Sequence, residues 1–385
     1  MNTYDVVVVG AGPVGLISAL VLAEAEYKIL LIEKRGQLNQ VSKASTFHAP
    51  TLDILNRLGV YEEFSKKALH IDRLQYRTPD HGILGELSYD LLKGLTDYPF
   101  RKHLEQSLLT PILLKTLRTF ANVDVIFNAE YQNCIDHGDG VEITYTTEKE
   151  ENIVKARFLL GADGAHSVVR ESVGITFTGN PYPGFQLRIR TDDGIMDEVK
   201  GIGPVTYLVG KTHSVSFLHM PDNWRVILRV PEGISEETAL TDDWAIERLN
   251  MLISGFKLPK VVDKDCYAAR KCIASSAHKG NVFIAGDAIH LTNTRGGMNM
   301  NCGIHDGFVI ASAMVQSLKN KDMNVLVAAA NERHRVGAEM LLPRTDAMIS
   351  KEKEWIERVS GYLEDPKKGQ NYLSQTAMLD MVQLP

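Results

Sequence analysis

The first fifteen residues constrain this chain more than any other stretch. "YDVVVVGAGPVG" sets a continuous β-branched run against a Gly-x-Gly-x-x-Gly turn, Gly10, Gly12 and Gly15, and "PVGLISALVLAEAEY" follows with helical character. A run apolar on both sides suits a parallel strand covered on both faces. In such a unit the first glycine makes the tight turn and the second lets backbone N–H groups approach a pyrophosphate. The third lets the helix pack closely on the strand. Pro13 and Val14 open the helix, whose positive end then faces the phosphates. The second strand, "KILLIEK", ends at Glu33 and Lys34, and Glu33 stands where a carboxylate accepts from ribose hydroxyls. This reading is dinucleotide binding, and it does not separate NAD from FAD.

Other classes fall away on composition. A net charge of −6 offers no basic excess for nucleic acid. Cys134, Cys266, Cys272 and Cys302 form no Cys-x-x-Cys pair, so neither a zinc site nor a redox dithiol is expected, and no metal is assigned. No apolar run reaches the length of a membrane span, and the chain enters a strand without a basic leader. The expectation is a cytoplasmic protein, monomer or homodimer, with no membrane partner.

At 385 residues the chain exceeds a single core. Its patterns interleave two units of an α/β fold. A Rossmann-like domain is expected from residues 1–71, 101–175 and 273–345. A mostly antiparallel substrate sheet is expected from 72–100 and 176–272, with strands "FQLRIRT", "PVTYLVG", "HSVSFLHM" and "WRVILRV". Residues 346–385 form a C-terminal helical segment, and a helix is expected over roughly 242 to 255.

Two further stretches are specific: "FLLGADGAHSVVRESVGI", residues 158–175, and "VFIAGDAIH", residues 282–290. With the first loop, in this order, the chain resembles the FAD-dependent aromatic hydroxylases, the single-component flavoprotein monooxygenases of the para-hydroxybenzoate hydroxylase fold. The resemblance covers nearly the whole chain. It implies FAD, bound tightly and without a covalent link, and NADPH or NADH as a transient donor. It also implies O2 as co-substrate and a small phenolic or heteroaromatic substrate, hydroxylated through a flavin C4a-hydroperoxide.

By the same resemblance Gly286 and Asp287 meet the ribityl chain. Gly296, Gly297, Met298, Asn299, Met300 and Asn301 offer backbone N–H groups to the flavin's pyrimidine edge, where reduced flavin gathers negative charge. Asp163 and Gly164 support the FAD, Arg170 anchors their turn through backbone carbonyls, and Gln106 lies near the cofactor. Lys43 stands in the place of a family arginine and keeps the charge without the fork. The family's two loop prolines are replaced here by Asn293 and Thr294, and a later glycine by Asn299.

Candidates for a base or proton relay are His219, Tyr207 and His48. In "VSFLH" strand alternation puts Val215, Phe217 and His219 on one face. Arg188 and Arg190 share a strand face and could meet a substrate carboxylate, a solvated face being the alternative. Cys302 reads as a small buried residue and His290 as a buttress of the flavin loop. A prenyl-chain reductase or quinone-pathway hydroxylase, its stretch "YLSQTAMLDMVQL" serving as surface anchor, is an alternative on the same fold. A non-catalytic FAD-binding protein is another. Isolated Trp224, Trp244 and Trp355 argue against a halogenase.

Overall fold

The computed structural model describes residues 2–41, 44–349 and 352–384. Its first sheet has a parallel core in the order Val282–Ile284, Glu151–Gly161, Thr3–Val9, Ile29–Glu33, Val123–Phe127. Val6 to Val8 and Ile29 to Ile32 are fully buried, because helices cover both faces. Each such side chain contributes about 1.5–3 kcal/mol. The helix Pro13–Glu24 starts at the glycine loop and packs with the long helix Met298–Asn320. Gly15 makes the loop closure possible: a Cβ there would stand 2.0 Å from the Gly10 carbonyl oxygen.

A second sheet of seven strands lies apart, in the order Val261–Tyr267, Phe185–Thr191, Trp224–Val230, Ser214–His219, Val205–Val209, Arg73–Thr78, Gly82–Ser88. All of its pairings are antiparallel except that of Val205–Val209 with Arg73–Thr78, which stitches an early segment into a late sheet. One face carries Leu187, Ile189, Val215, Phe217, Val226 and Leu228. It packs under the helix Asp242–Asn250 through Trp244, Ala245 and Leu249. The opposite face carries Gln186, Arg188, Tyr207, Ser214, Ser216 and Arg225 and looks into a cavity.

The helices Glu352–Glu364 and Pro366–Thr376 close the side of that cavity. Trp355, Val359 and Leu373 are buried with Tyr76, Tyr89 and Val205. The apolar residues Leu373, Met378 and Met381 of the C-terminal stretch are thus packed inside the protein, at 0–1% exposure, and present no apolar face for a membrane surface. Among the described residues no helix is long and apolar enough to cross a bilayer.

The strands Glu130–Asp136 and Val261–Tyr267 were not apparent from the sequence pattern. The helix expected to reach residue 255 ends at Asn250.

Candidate active site

The first glycine loop is open where a phosphate would approach, since a Cβ at Gly12 would meet nothing within 4 Å. Glu33, at the end of its strand, is buried and ties that loop down. Its Oε2 accepts from the Ala11 N–H at 2.9 Å and its Oε1 from the Arg35 N–H at 3.0 Å. Asp163 accepts from the Val169 N–H at 3.1 Å through Oδ2, while its buried Oδ1 has no protein partner. Burial raises this carboxyl above its ordinary value. Arg170 donates to the carbonyls of Ala288 at 3.2 Å and Ala165 at 3.1 Å, so it joins the Asp163 turn to the Gly286–Asp287 turn. Gln106 begins the helix Gln106–Leu117, its backbone N–H bonded to the Ala44 carbonyl. Lys43 lies outside the described residues.

The second loop leads into Met298–Asn320 with Gly296 and Gly297 at φ of +75° and +64°, the left-handed region that favours glycine. A Cβ at Gly297 would stand 2.8 Å from that of Thr46, so the loop sits directly on the segment after the second strand. His48 and Asn301 hold it there. His48 Nε2 donates to the Gly296 carbonyl at 2.8 Å, and Asn301 Nδ2 donates to Gly297 at 2.7 Å and to Thr46 at 2.9 Å. Where the family has prolines, Asn293 Oδ1 accepts from the Arg295 N–H at 3.0 Å and braces the turn.

Behind the loop a chain of polar groups runs from half-buried Asp287 and Asn299 to buried His290, Asp306 and Arg333. Asn299 Nδ2 donates to Asp287 at 2.9 Å, and its Oδ1 lies 3.1 Å from His290 Nδ1. His290 Nε2 lies 2.8 Å from Asp306, whose other oxygen is 2.7 Å from Arg333 Nε. Burial alone would press the His290 imidazole down, yet Cys302 and Asp306 hold it well above its ordinary value. Both ring nitrogens thus face an acceptor, Asn299 Oδ1 on one side and the Asp306 carboxylate on the other, which favours the protonated ring. Cys302 is buried against Arg333, 3.3 Å from its Nη2.

This wiring gives Asn299 a positioning task. Asn299→Ala is expected to weaken FAD about tenfold, the value of one hydrogen bond to a charged group, in a flavin-fluorescence titration.

The cavity between this loop and the roof sheet measures about 490 Å³. That is within the usual range for small-molecule sites. Of the three relay candidates, Tyr207 lines it. His219 does not. Its ring stacks on Trp224 at 4.4 Å, on the face shared with Val215 and Phe217, and that face is core. His48 is buried behind the loop, and burial and Arg101 push its pKa down to about 3, so it is a neutral buttress rather than a base. Arg188 and Arg190 are committed as well: Arg188 forks Asp265 at 2.7 and 2.8 Å, and Arg190 pairs with Asp263. Sequence reasoning missed Tyr76, Arg101 and Arg295, which also line the cavity. The only local signal was a charged residue opening a short strand, at Arg101, and one inside a glycine loop, at Arg295.

The donors and acceptors fit FAD: an open phosphate loop, an orphaned carboxylate oxygen at Asp163 and a helix start framed by two glycines. Such a pair of loops, opening on one cavity under an antiparallel roof, defines a flavoprotein of the para-hydroxybenzoate hydroxylase fold. The chain belongs to the family described as FAD binding domain, which matches residues 3–342. Within it, the chain is a class A FAD-dependent aromatic monooxygenase.

It is 28% identical to para-nitrophenol 4-monooxygenase of Pseudomonas sp. (strain WBC-3), over 92% of this chain and 89% of that one. It is also 28% identical to 6-hydroxy-3-succinoylpyridine 3-monooxygenase HspB of Pseudomonas putida (strain DSM 28022 / S16), covering 88% and 86%. The crystal structure of p-nitrophenol 4-monooxygenase PnpA from Pseudomonas putida DLL-E4 shares the fold over 99% of both chains, with a TM-score of 0.89 at 24% identity.

Proposed function

We propose that this monooxygenase hydroxylates a small phenolic or heteroaromatic ring, with NADH or NADPH as electron donor. The observation that carries this is the cavity itself: it is bounded by flavin-loop residues 293–300 on one side and by Tyr207 and the roof strands on the other. Bound FAD would supply the activation of O2 there. Gly10, Gly12 and Glu33 would hold its adenosine half, and Asp287 with the Met298–Asn301 helix start its redox half.

The chain's own groups bind and orient the ring. Leu74, Val209, Leu218 and Ile227 give the cavity apolar wall, and Tyr207 presents a phenol that can donate to a ring oxygen. The helices carrying Trp355 and Tyr372 wall one side of the space, which matters for oxygen chemistry that water diverts.

The test is anaerobic mixing of the FAD-loaded protein with NADH or NADPH, with and without a panel of phenols, followed by product analysis in air. Flavin reduction accelerated by one phenol, with one oxygen atom added to it, is the expected result. Reduction indifferent to every aromatic, with only hydrogen peroxide formed, would sink the proposal. Tyr207→Phe is expected to lower kcat/KM for that phenol about 10- to 100-fold. FAD affinity should stay unchanged, which a fluorescence titration checks.

A further inference from the structure

Seven arginines line the cavity, and no aspartate or glutamate does among the described residues. Three are neutralised from behind: Arg188 by Asp265, Arg225 by Glu105 and Arg344 by Asp380. Arg101 and Arg295 have no ion-pair partner among the described residues. Arg101 is only 3% exposed, and its Nε and Nη2 bond to nothing in the protein. Its neighbours are Tyr89, whose ring lies 5.8 Å from the guanidinium carbon, Tyr207 within hydrogen-bonding reach, and the neutral His48 and His103. None of these carries negative charge.

Arg295 comes from the flavin loop. Its guanidinium makes one long bond, 3.4 Å to the Met348 carbonyl. Burial and the nearby Arg229 and Arg358 hold it below its ordinary value, while Tyr207 acts in the other direction. Two cations from unrelated segments therefore line the same cavity as Tyr207, and no acidic side chain among the described residues lines it with them. Withdrawing a cation from water without its counter-charge is unfavourable, and an anion entering the cavity would relieve that cost.

We propose that Arg101 and Arg295 are specificity-determining residues that hold the aromatic substrate as an anion beside Tyr207, so that the cavity selects ionised aromatics over neutral ones of the same shape. This rests on the hydroxylase reading of the cavity, but its test involves no turnover.

FAD-loaded protein, without NADH or NADPH, is titrated calorimetrically with 4-nitrophenol at a pH where it is ionised, and with its neutral isostere 4-nitroaniline. The anion is expected to bind about 10- to 100-fold more tightly. Arg101→Met and Arg295→Met should each bring the two affinities close together, while Arg101→Lys and Arg295→Lys retain part of the preference. An unchanged flavin spectrum shows that each variant is folded. Equal affinities in the wild type, no measurable binding of the anion, or a preference that survives both methionine variants would overturn the proposal. If the preference holds but no aromatic is ever hydroxylated, the functional reading fails and the anion site stands.

Discussion

Asp306→Asn is expected to cost about 3–5 kcal/mol of stability, the loss seen when one partner of a buried ion pair is removed. Asp306 is fully buried and bonds His290, Arg333 and the Gly286 N–H at once. Burial opposes its ionisation, but Arg333 and His290 outweigh it and hold the carboxyl below its ordinary value. Without the carboxylate, His290 can release its proton. Arg333 cannot, and at 2% exposure it would keep its charge among Met381, Cys302 and apolar packing. Urea unfolding followed by far-UV circular dichroism would read the loss as a lower midpoint at constant slope. The double variant Asp306→Leu/Arg333→Met should lose less than Asp306→Leu alone. Equal losses would show that packing, not charge, sets the penalty.

Stability is expected to fall by a few kcal/mol between pH 7 and pH 5.5. Burial holds His48 at about 3, and burial presses His103 and His305 well below their ordinary value of 6.5. Below that value the unfolded chain takes up protons that these three folded imidazoles refuse, so stability drops with falling pH. Each contributes a loss of about 1 kcal/mol over this interval.

His290 works in the opposite direction. Its folded pKa is raised, so its stabilisation is fully present below 6.5 and fades as pH rises toward the folded value; it offsets a minor part of the loss over the same interval. Asp306, with a depressed pKa, keeps its contribution until pH falls into the carboxylate range. Equilibrium unfolding at the two pH values measures the net effect. His48→Gln, which retains a donor for the Gly296 carbonyl, should remove about one histidine's share. A flat profile from pH 7 to 5.5 would contradict the assignment of neutral buried histidines.

Much of the fold was legible because its signals are local. The first loop, the Asp163–Gly164 turn and the Gly286–Asp287 turn each combine a strand end with glycines and stand at such turns in the structure, and Glu33 ends the second strand as read. Strands 185–191, 205–209, 214–219 and 224–230 were readable from alternation. Strand Glu130–Asp136 was not, since "EYQNCID" is polar and mostly exposed, held by pairing rather than burial.

The candidate site was less legible for a different reason. Alternation placed Val215, Phe217 and His219 together, but it cannot say which face of a sheet covered on both sides is core. The apolar face turned out to be core, and Ser214, Ser216 and Leu218 face the cavity. Arg101 and Arg295 reach one cavity with Tyr207 only through tertiary structure, so no spacing announces them.

The parallel pairing of Thr3–Val9 with Lys155–Gly161 also has a consequence in time. During synthesis the first strand emerges some 150 residues ahead of that partner, a wait of roughly 8–30 s at ribosomal speeds of about 5–20 residues per second. Val282–Ile284 arrives later still. Over that interval the strand has only its neighbour Ile29–Glu33 to pair with on one side, and its other edge is exposed to whatever β-prone chain is near. A nascent-chain chaperone that masks "VVVV" until residue 161 has left the ribosome would raise the yield of native enzyme more than one acting on the finished chain.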